Sequence, residues 1–381
     1  MKIAIIRQRY NPFGGAERFV ARAAGALAAE GVGVTVVARE WRDGGDVATL
    51  RCDPFYLGRL WRDWGFARAA CAAIARTDFD LVQSHERLAC CDVYRAGDGV
   101  HRQWLENRGR ALGPIARLAT AINPYHRYVL GAERRMFASP RLRAVICNSR
   151  MVAGEIRRHF EVPEEKLRIV YNGIDTAAFH PRLRVEYRAM MRGKLGIPDL
   201  APVVLFVGSG FERKGVPRLL EAFARVPVSD APLLVVGRDK AAASLARSVR
   251  ARGLGGRVVF AGGQEDVRPW YGAADLFALP TLYDPFPNAA LEALACGLPV
   301  ITSTQCGAAE LIAEGVNGYV RDALDVAGLA EALTNAIRNL RTAEAADAAR
   351  RSAEPLDLSS MAARLADLYR QLLHLRTSAG R

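Results

Sequence analysis

Five short apolar runs spaced through residues 203–303 constrain the fold of this chain more than anything else in it. VVLFVGS (203–209), PLLVVG (232–237), VVFAGG (258–263), LFALP (276–280) and PVITS (299–303) are each of strand length, with helix-like segments between them. Runs of this kind read as strands buried on both faces, as in a parallel sheet covered by helices. Five βα units at such spacing predict one doubly wound, Rossmann-like α/β domain.

The first half repeats this architecture without repeating the sequence. KIAIIR (2–7) reads as a buried strand, Asn11, Pro12, Gly14 and Gly15 as a turn, and Ala16 to Glu30 as an amphipathic helix ended by Gly31. VGVTVVA (32–38), DLVQSH (80–85), VYRAGDG (93–99), RAVICNS (143–149) and LRIVYNGID (167–175) supply further strands. Residues 40–78 read less clearly, with three tryptophans and an Arg/Ala helix near 66–76. A chain of 381 residues exceeds one ordinary core. The expected division is a first domain over 1–180, a second over 181–355, and a helix over 356–381 that follows Pro355 and returns toward the first domain.

Charge narrows the choice of partners. The formal net charge is +13, carried almost wholly by arginine, and residues 101–160 hold twelve basic against three acidic residues. That excess, interleaved with Trp104, Tyr125, Tyr128 and Phe137, suits an interfacial helix on an anionic membrane. It equally suits a solvated helix with one packed aromatic face. No run of roughly 18 apolar residues is present, so no transmembrane helix is expected. The chain starts directly as a strand, so no signal peptide is expected either. Seven cysteines without metal-like spacing, two of them the adjacent Cys90 and Cys91, predict buried reduced thiols of a cytosolic protein.

The chemistry is concentrated in TLYDPFPNAALEALACGLPVIT (281–302). Pro285 and Pro287 keep Asp284 in a loop, because proline cannot continue a helix. The helix then begins near Asn288, a good cap residue, and its free N–H groups form an anion site. Glu292 lies one turn inside, where a carboxylate suits ribose hydroxyls. Arg213 and Lys214, in the loop after the 203–209 strand, suit a diphosphate. The Gly14–Gly15 turn allows close backbone approach to a ligand. His85 and Asp98 fall at the carboxyl ends of strands, where ligands of open parallel sheets bind. With no metal-spaced cluster, the charge of a departing diphosphate falls to Arg213, Lys214 and helix dipoles.

Several segments occur in a telling order: PFGGAER, VYRAGD, CNS, YNGID, GSGFERKGV, VVGRDK, and the acid, seven residues and Glu of DPFPNAALE running into ALACGLPVI. Together they resemble the family 4 retaining glycosyltransferases of GT-B fold, over essentially the whole chain. Within that family the resemblance is to the glucosyltransferases of the lipopolysaccharide core. It implies two Rossmann-like domains facing across a cleft, and transfer of a hexose, glucose, from a nucleotide diphosphate sugar such as UDP-glucose to a saccharide-lipid acceptor. No metal or other cofactor and no nucleic-acid partner is expected, and the enzyme would lie on the inner face of the cytoplasmic membrane.

In this resemblance Glu292 holds the donor ribose and Asp284 matches the first acid of the pair, facing the donor sugar. Arg213, Lys214, Gly14, Gly15, Phe286, Asn288 and Ala289 surround the diphosphate, and Asp98 helps catalysis or places the acceptor. Two departures stand out. Asp284 is one methylene shorter than the family's usual Glu, and Pro285 and Pro287 remove two amides from the loop. An epimerase or phosphorylase-like enzyme on the same fold, or a non-enzymatic basic binding protein, are the competing readings.

Overall fold

The computed structural model describes residues 1–9, 25–41, 47–227 and 231–378. Two compact units divide the chain, Met1–Gly173 together with Leu358–Arg381, and Ile174–Asp357. The boundaries thus fall a few residues from the expected 180 and 355. The turn at 11–15, with Gly14 and Gly15, and most of the helix after it lie outside the described residues.

Among the described residues the first unit is built on seven parallel strands: β1 (Lys2–Ile6), β2 (Gly33–Ala38), β3 (Ala48–Arg51), β4 (Leu81–Ser84), β5 (Val93–Arg95), β6 (Ala144–Cys147) and β7 (Leu167–Ile169). Their order is β3-β2-β1-β4-β5-β6-β7, so the topology reverses between β1 and β4. The sheet is coated on both faces by the period-two alternation of its strands. Ile3 and Ile5 of β1 face a core completed by Met361, Leu365, Tyr369 and Leu372 of the helix Leu358–Ser378. Ala4 and Ile6 face the opposite core, with Phe66, Ala70 and Ile74 of the helix Gly58–Ile74 and Met136, Val152 and Ile156 beyond.

Three features depart from expectation here. β3 arises in the stretch that read poorly, because an edge strand buries little: of ATLR only Leu50 is even half-buried. The helical run from His101 to Phe137 is three helices, His101–Ala111, Pro114–Ile122 and Pro124–Phe137. The last two each open on a proline, whose missing N–H costs nothing at a first helical position, and Asn123 caps the third by accepting from Tyr125 N at 2.9 Å. Finally, Cys71 and Cys90 form a disulfide, so the expectation of thiols throughout fails for this pair. The helix Gly58–Ile74 carries Cys71 to 5.9 Å, Cα to Cα, from Cys90, a proximity that spacing along the chain does not disclose. The other five cysteines are buried thiols.

Among the described residues the second unit holds six parallel strands: β8 (Val204–Val207), β9 (Leu233–Val236), β10 (Val258–Gly262), β11 (Leu276–Leu279), β12 (Val300–Ser303) and β13 (Gly318–Arg321). They are ordered β10-β9-β8-β11-β12-β13, with the reversal between β8 and β11. β13 is one strand more than the apolar runs announced; its GYVR is half-polar, as an edge strand allows. Ligands of such sheets bind beyond the carboxyl ends of the two strands at the reversal.

The loops leaving β8 and β11 are locked together. Leu282 N and Thr281 Oγ1 donate to Arg213 O at 2.8 and 2.9 Å. Gly215 makes this closeness possible. Its φ is +78°, and a Cβ there would stand 1.8 Å from Pro280 O. We expect Gly215→Ala to unfold this junction, since the left-handed backbone alone costs about 1–3 kcal/mol and the carbonyl clash adds to it. A thermal melt checks this; an unchanged Tm would mean that the two loops are free to separate.

Candidate active site

The junction of these two loops places the charged residues. Lys214 Nζ donates to Asp284 Oδ2 at 2.5 Å, and Arg213 Nη1 reaches the same oxygen at 3.3 Å and Tyr283 O at 3.0 Å. Asp284 is fixed from the other side as well: its N–H donates to Gln305 O at 3.0 Å, and Gly307 N donates to its carbonyl at 2.9 Å. Only 6 % of Asp284 is exposed. Burial by itself pushes its carboxyl up, but Lys214 and Arg213 outweigh that and hold it below the usual carboxylate range. The shorter acid therefore sits ionised between two cations, and Lys214 is held by the residue it faces.

The helix that follows runs Asn288–Ala295. Pro287, not Asn288, occupies its cap position and makes no side-chain cap bond, so Asn288 is the first helical residue. Proline's fixed φ and absent N–H suit it to lead into a helix start, and the first-turn amides keep the anion-binding character of an α-helix N-terminus. Phe286 is buried in the loop before it. One turn in, Glu292 is 1 % exposed. Tyr271 OH donates to Glu292 Oε2 at 3.0 Å and contacts Ala289 O at 3.1 Å. Glu292 Oε1 is buried with no hydrogen-bond partner among the described residues. A buried carboxylate oxygen left so costs several kcal/mol unless a donor comes to it, which is the behaviour of a ligand-binding oxygen. Tyr271, from WYGAAD, escaped the reading of the sequence: nothing in its neighbours announces a partner 21 residues on.

The first unit gathers a second set of side chains past β1, β4 and β5. A cavity of about 250 Å³ is lined by Arg7, Glu86, Asp98, Asp63, Tyr125 and Tyr128, among others. Arg7 Nη1 donates to Asp98 Oδ2 at 2.9 Å. Desolvation opposes ionisation of Asp98, but Arg7 and Arg87 hold its carboxyl at about 2. Such a carboxylate is a weak base and a good hydrogen-bond acceptor.

His85 follows β4 directly and is buried. Desolvation, with Arg95 and Arg7, pushes its pKa well down, so the ring is neutral. Gln83 Nε2 stands 3.2 Å from His85 Nε2, and Tyr369 OH donates to Gln83 Oε1 at 2.7 Å, a buried polar chain reaching the C-terminal helix. Among the described residues no group of three or more His, Cys, Asp or Glu side chains stands as a metal site.

Comparison with known proteins gives this geometry a family. Residues 201–339 match the model for glycosyl transferases group 1, and residues 13–178 that for glycosyltransferase family 4. The lipopolysaccharide glucosyltransferase WaaG of Escherichia coli is 29 % identical over 382 aligned residues, covering 97 % of this chain and 98 % of that protein. A Burkholderia thailandensis protein named as a probable transglycosylase is 30 % identical over 377 residues, 97 % of this chain and 96 % of the other. The crystal structure of WaaG, a glycosyltransferase involved in lipopolysaccharide biosynthesis, superimposes with a TM-score of 0.83 at 27 % identity, over 96 % of this chain and 99 % of that one. Two parallel-sheet Rossmann-like units, loops locked at the reversal of the second sheet and both family models in sequence order have one meaning: the chain belongs to the family 4 glycosyltransferases of GT-B fold.

Proposed function

We propose that this glycosyltransferase moves glucose, with retention, from UDP-glucose to a saccharide-lipid of the lipopolysaccharide-core kind. The observation that carries the donor site is the buried, unsatisfied Oε1 of Glu292, one turn inside a helix N-terminus. Glu292 accepts from the ribose hydroxyls. The helix amides, Lys214 and Arg213 take the diphosphate, and Asp284 holds Lys214 in place while facing the sugar. The family resemblance also assigns Gly14 and Gly15, which lie outside the described residues, to the diphosphate, and Asp98 to the acceptor hydroxyl. The similarity to WaaG over nearly the whole chain supports the choice of glucose and of core saccharide.

In the transfer, the bond from the anomeric carbon to the diphosphate oxygen breaks and that from the same carbon to the acceptor oxygen forms on the same face. The acceptor proton passes to the departing diphosphate. No side chain has to take it, which accords with an Asp98 carboxyl held at about 2. The growing negative charge is met by Lys214, Arg213 and the helix N-terminus, without a metal ion.

The membrane partner is reached through the basic region 101–160. The helix Pro114–Ile122 has no buried residue and exposes Ile115, Leu118 and Ile122 on one stripe. No helix of the described residues is long and apolar enough to cross a membrane. The exposed stripe supports peripheral attachment, which we place at the inner face of the cytoplasmic membrane.

Product analysis with a panel of sugar nucleotides and a deacylated core acceptor tests the reaction. An α-linked glucoside with UDP released only when acceptor is present is the expected result. UDP-glucose converted to another UDP-sugar, or a β-linked product, would overturn it.

Tyr271→Phe gives a finer test of the ribose site. Removing one hydroxyl from Glu292 Oε2 costs about 1 kcal/mol, so UDP binds about fivefold more weakly by calorimetry. Unchanged affinity would remove Tyr271 as the residue that positions Glu292.

A further inference from the structure

The helix Gly58–Ile74 is apolar on two sides. Phe66, Ala70 and Ile74 face the core at four-residue spacing. The opposite side and the turn leading into it carry Leu57, Leu60, Trp61 and Trp64, and these remain 68 %, 41 %, 41 % and 45 % exposed. Phe55, 73 % exposed, packs edge-on against Trp61 with ring centroids 5.7 Å apart. A stripe of two tryptophans and three other large apolar side chains turned to solvent is costly in water and marks a contact surface.

Its charge and its neighbours name the occupant. Residues 55–76 hold four arginines and a single aspartate. Arg68 lies over the Trp64 ring at 5.1 Å and Arg59 over the Tyr125 ring at 4.4 Å. Tyr125 is the second residue of the helix Pro124–Phe137, three residues after the exposed Ile122. The helix that carries the tryptophan stripe therefore packs, within the same unit, beside the helix that follows Ile122. Tryptophan beside arginine, on an apolar stripe without carboxylates, is the composition of a protein face at the headgroup level of an anionic bilayer.

We infer that residues 55–64 form a second lipid-inserting element, and that the chain rests on anionic membrane by this stripe and the helix Pro114–Ile122 together. The surface also borders the first unit's cavity, whose lining includes Arg62 and Asp63 of the same helix and Tyr125 and Tyr128. Resting on the proposed saccharide-lipid acceptor, this has a consequence for substrate entry. The sugar head of a lipid enters the cavity beside the membrane-seated helix Gly58–Ile74 while its acyl chains stay in the bilayer.

The test is flotation of the full chain with phosphatidylethanolamine vesicles, with and without phosphatidylglycerol. Binding requires the anionic lipid and falls with salt. Trp61→Ser with Trp64→Ser lowers the bound fraction about tenfold, as does Ile115→Ser with Leu118→Ser. A bimane on Leu57→Cys, whose native thiol neighbours are buried or disulfide-bonded, is quenched by brominated lipid. Wild-type binding by the tryptophan variant, or an unquenched probe on bound protein, overturns the inference. Transfer to the water-soluble deacylated acceptor stays at the wild-type rate in both double variants. Loss of that transfer in the wild-type chain would count against the proposed reaction, and would leave the vesicle result to stand or fall by itself.

Discussion

Glu292→Ala weakens UDP binding about a hundredfold and lowers kcat/KM for UDP-glucose by at least as much. The size follows from two hydrogen bonds to a buried carboxylate, each worth about 1.5 kcal/mol or more when one partner is charged. Glu292 is 1 % exposed and offers Oε1 unpaired while Tyr271 holds Oε2, so the site spends nothing on reorganising when ribose arrives. Calorimetry with UDP reads the binding term directly. A variant that binds UDP like the wild type would remove Glu292 from the donor site. The protein itself does not lose stability, because the substitution also deletes a buried, half-satisfied charge.

Lys214→Met behaves differently, and its effect depends on pH. It keeps the alkyl stem and removes the ammonium 2.5 Å from Asp284. Breaking a buried pair costs about 3 kcal/mol at neutral pH, the lower end of the usual range because Arg213 stays at 3.3 Å. In the wild type the Asp284 carboxyl is depressed, so its contribution is complete above the ordinary carboxylate value. It fades as pH falls through the lower, folded-state value. Without Lys214, burial is the larger influence and the carboxyl moves up. The unfolded chains titrate alike, so the stability gap between the two proteins is widest near neutrality, narrows as pH falls through the variant's raised folded-state value, and closes below the wild type's depressed one. Denaturant melts across that range check the sign. A gap independent of pH would mean that Asp284 is not the group Lys214 serves. Turnover should fall about a thousandfold at all pH values, since one cation facing a developing diphosphate charge is worth about 4 kcal/mol.

Much of this fold is written as apolar runs. β1, β8, β9, β11 and β12 announce themselves because strands covered on both faces must be hydrophobic throughout, and β2 and the edge strand β10 are apolar enough to be read with them. β3 and β13 do not, because an edge strand can be half-polar and still pair. The helical stretch from His101 to Phe137 is divided in three, and the divisions are legible only once Pro114 and Pro124 are seen to start helices.

The site was legible wherever its residues are close in sequence, as with Asp284 and Glu292 in one loop-helix step. The contact of Arg213 and Lys214 with Asp284 spans about 70 residues and exists only because β8 and β11 are neighbours in the sheet. Tyr271 and the Cys71–Cys90 link were illegible for the same reason. Residue type made each of them plausible, but the partner is a matter of topology.

The helix Leu358–Ser378 has a consequence for biogenesis. It completes the core of a unit whose other residues were synthesised before the whole of Ile174–Asp357. Its Tyr369–Gln83 bond closes 286 residues of chain. The second unit is continuous and has every partner it needs once Asp357 has left the ribosome. The first unit has to wait with Ile3, Ile5 and Val36 uncovered until the helix Leu358–Ser378 emerges, although most of it was made first. The ordinary order of folding during synthesis, N-terminal domain first, is inverted. The older half of the nascent chain is the one that chaperones would have to guard.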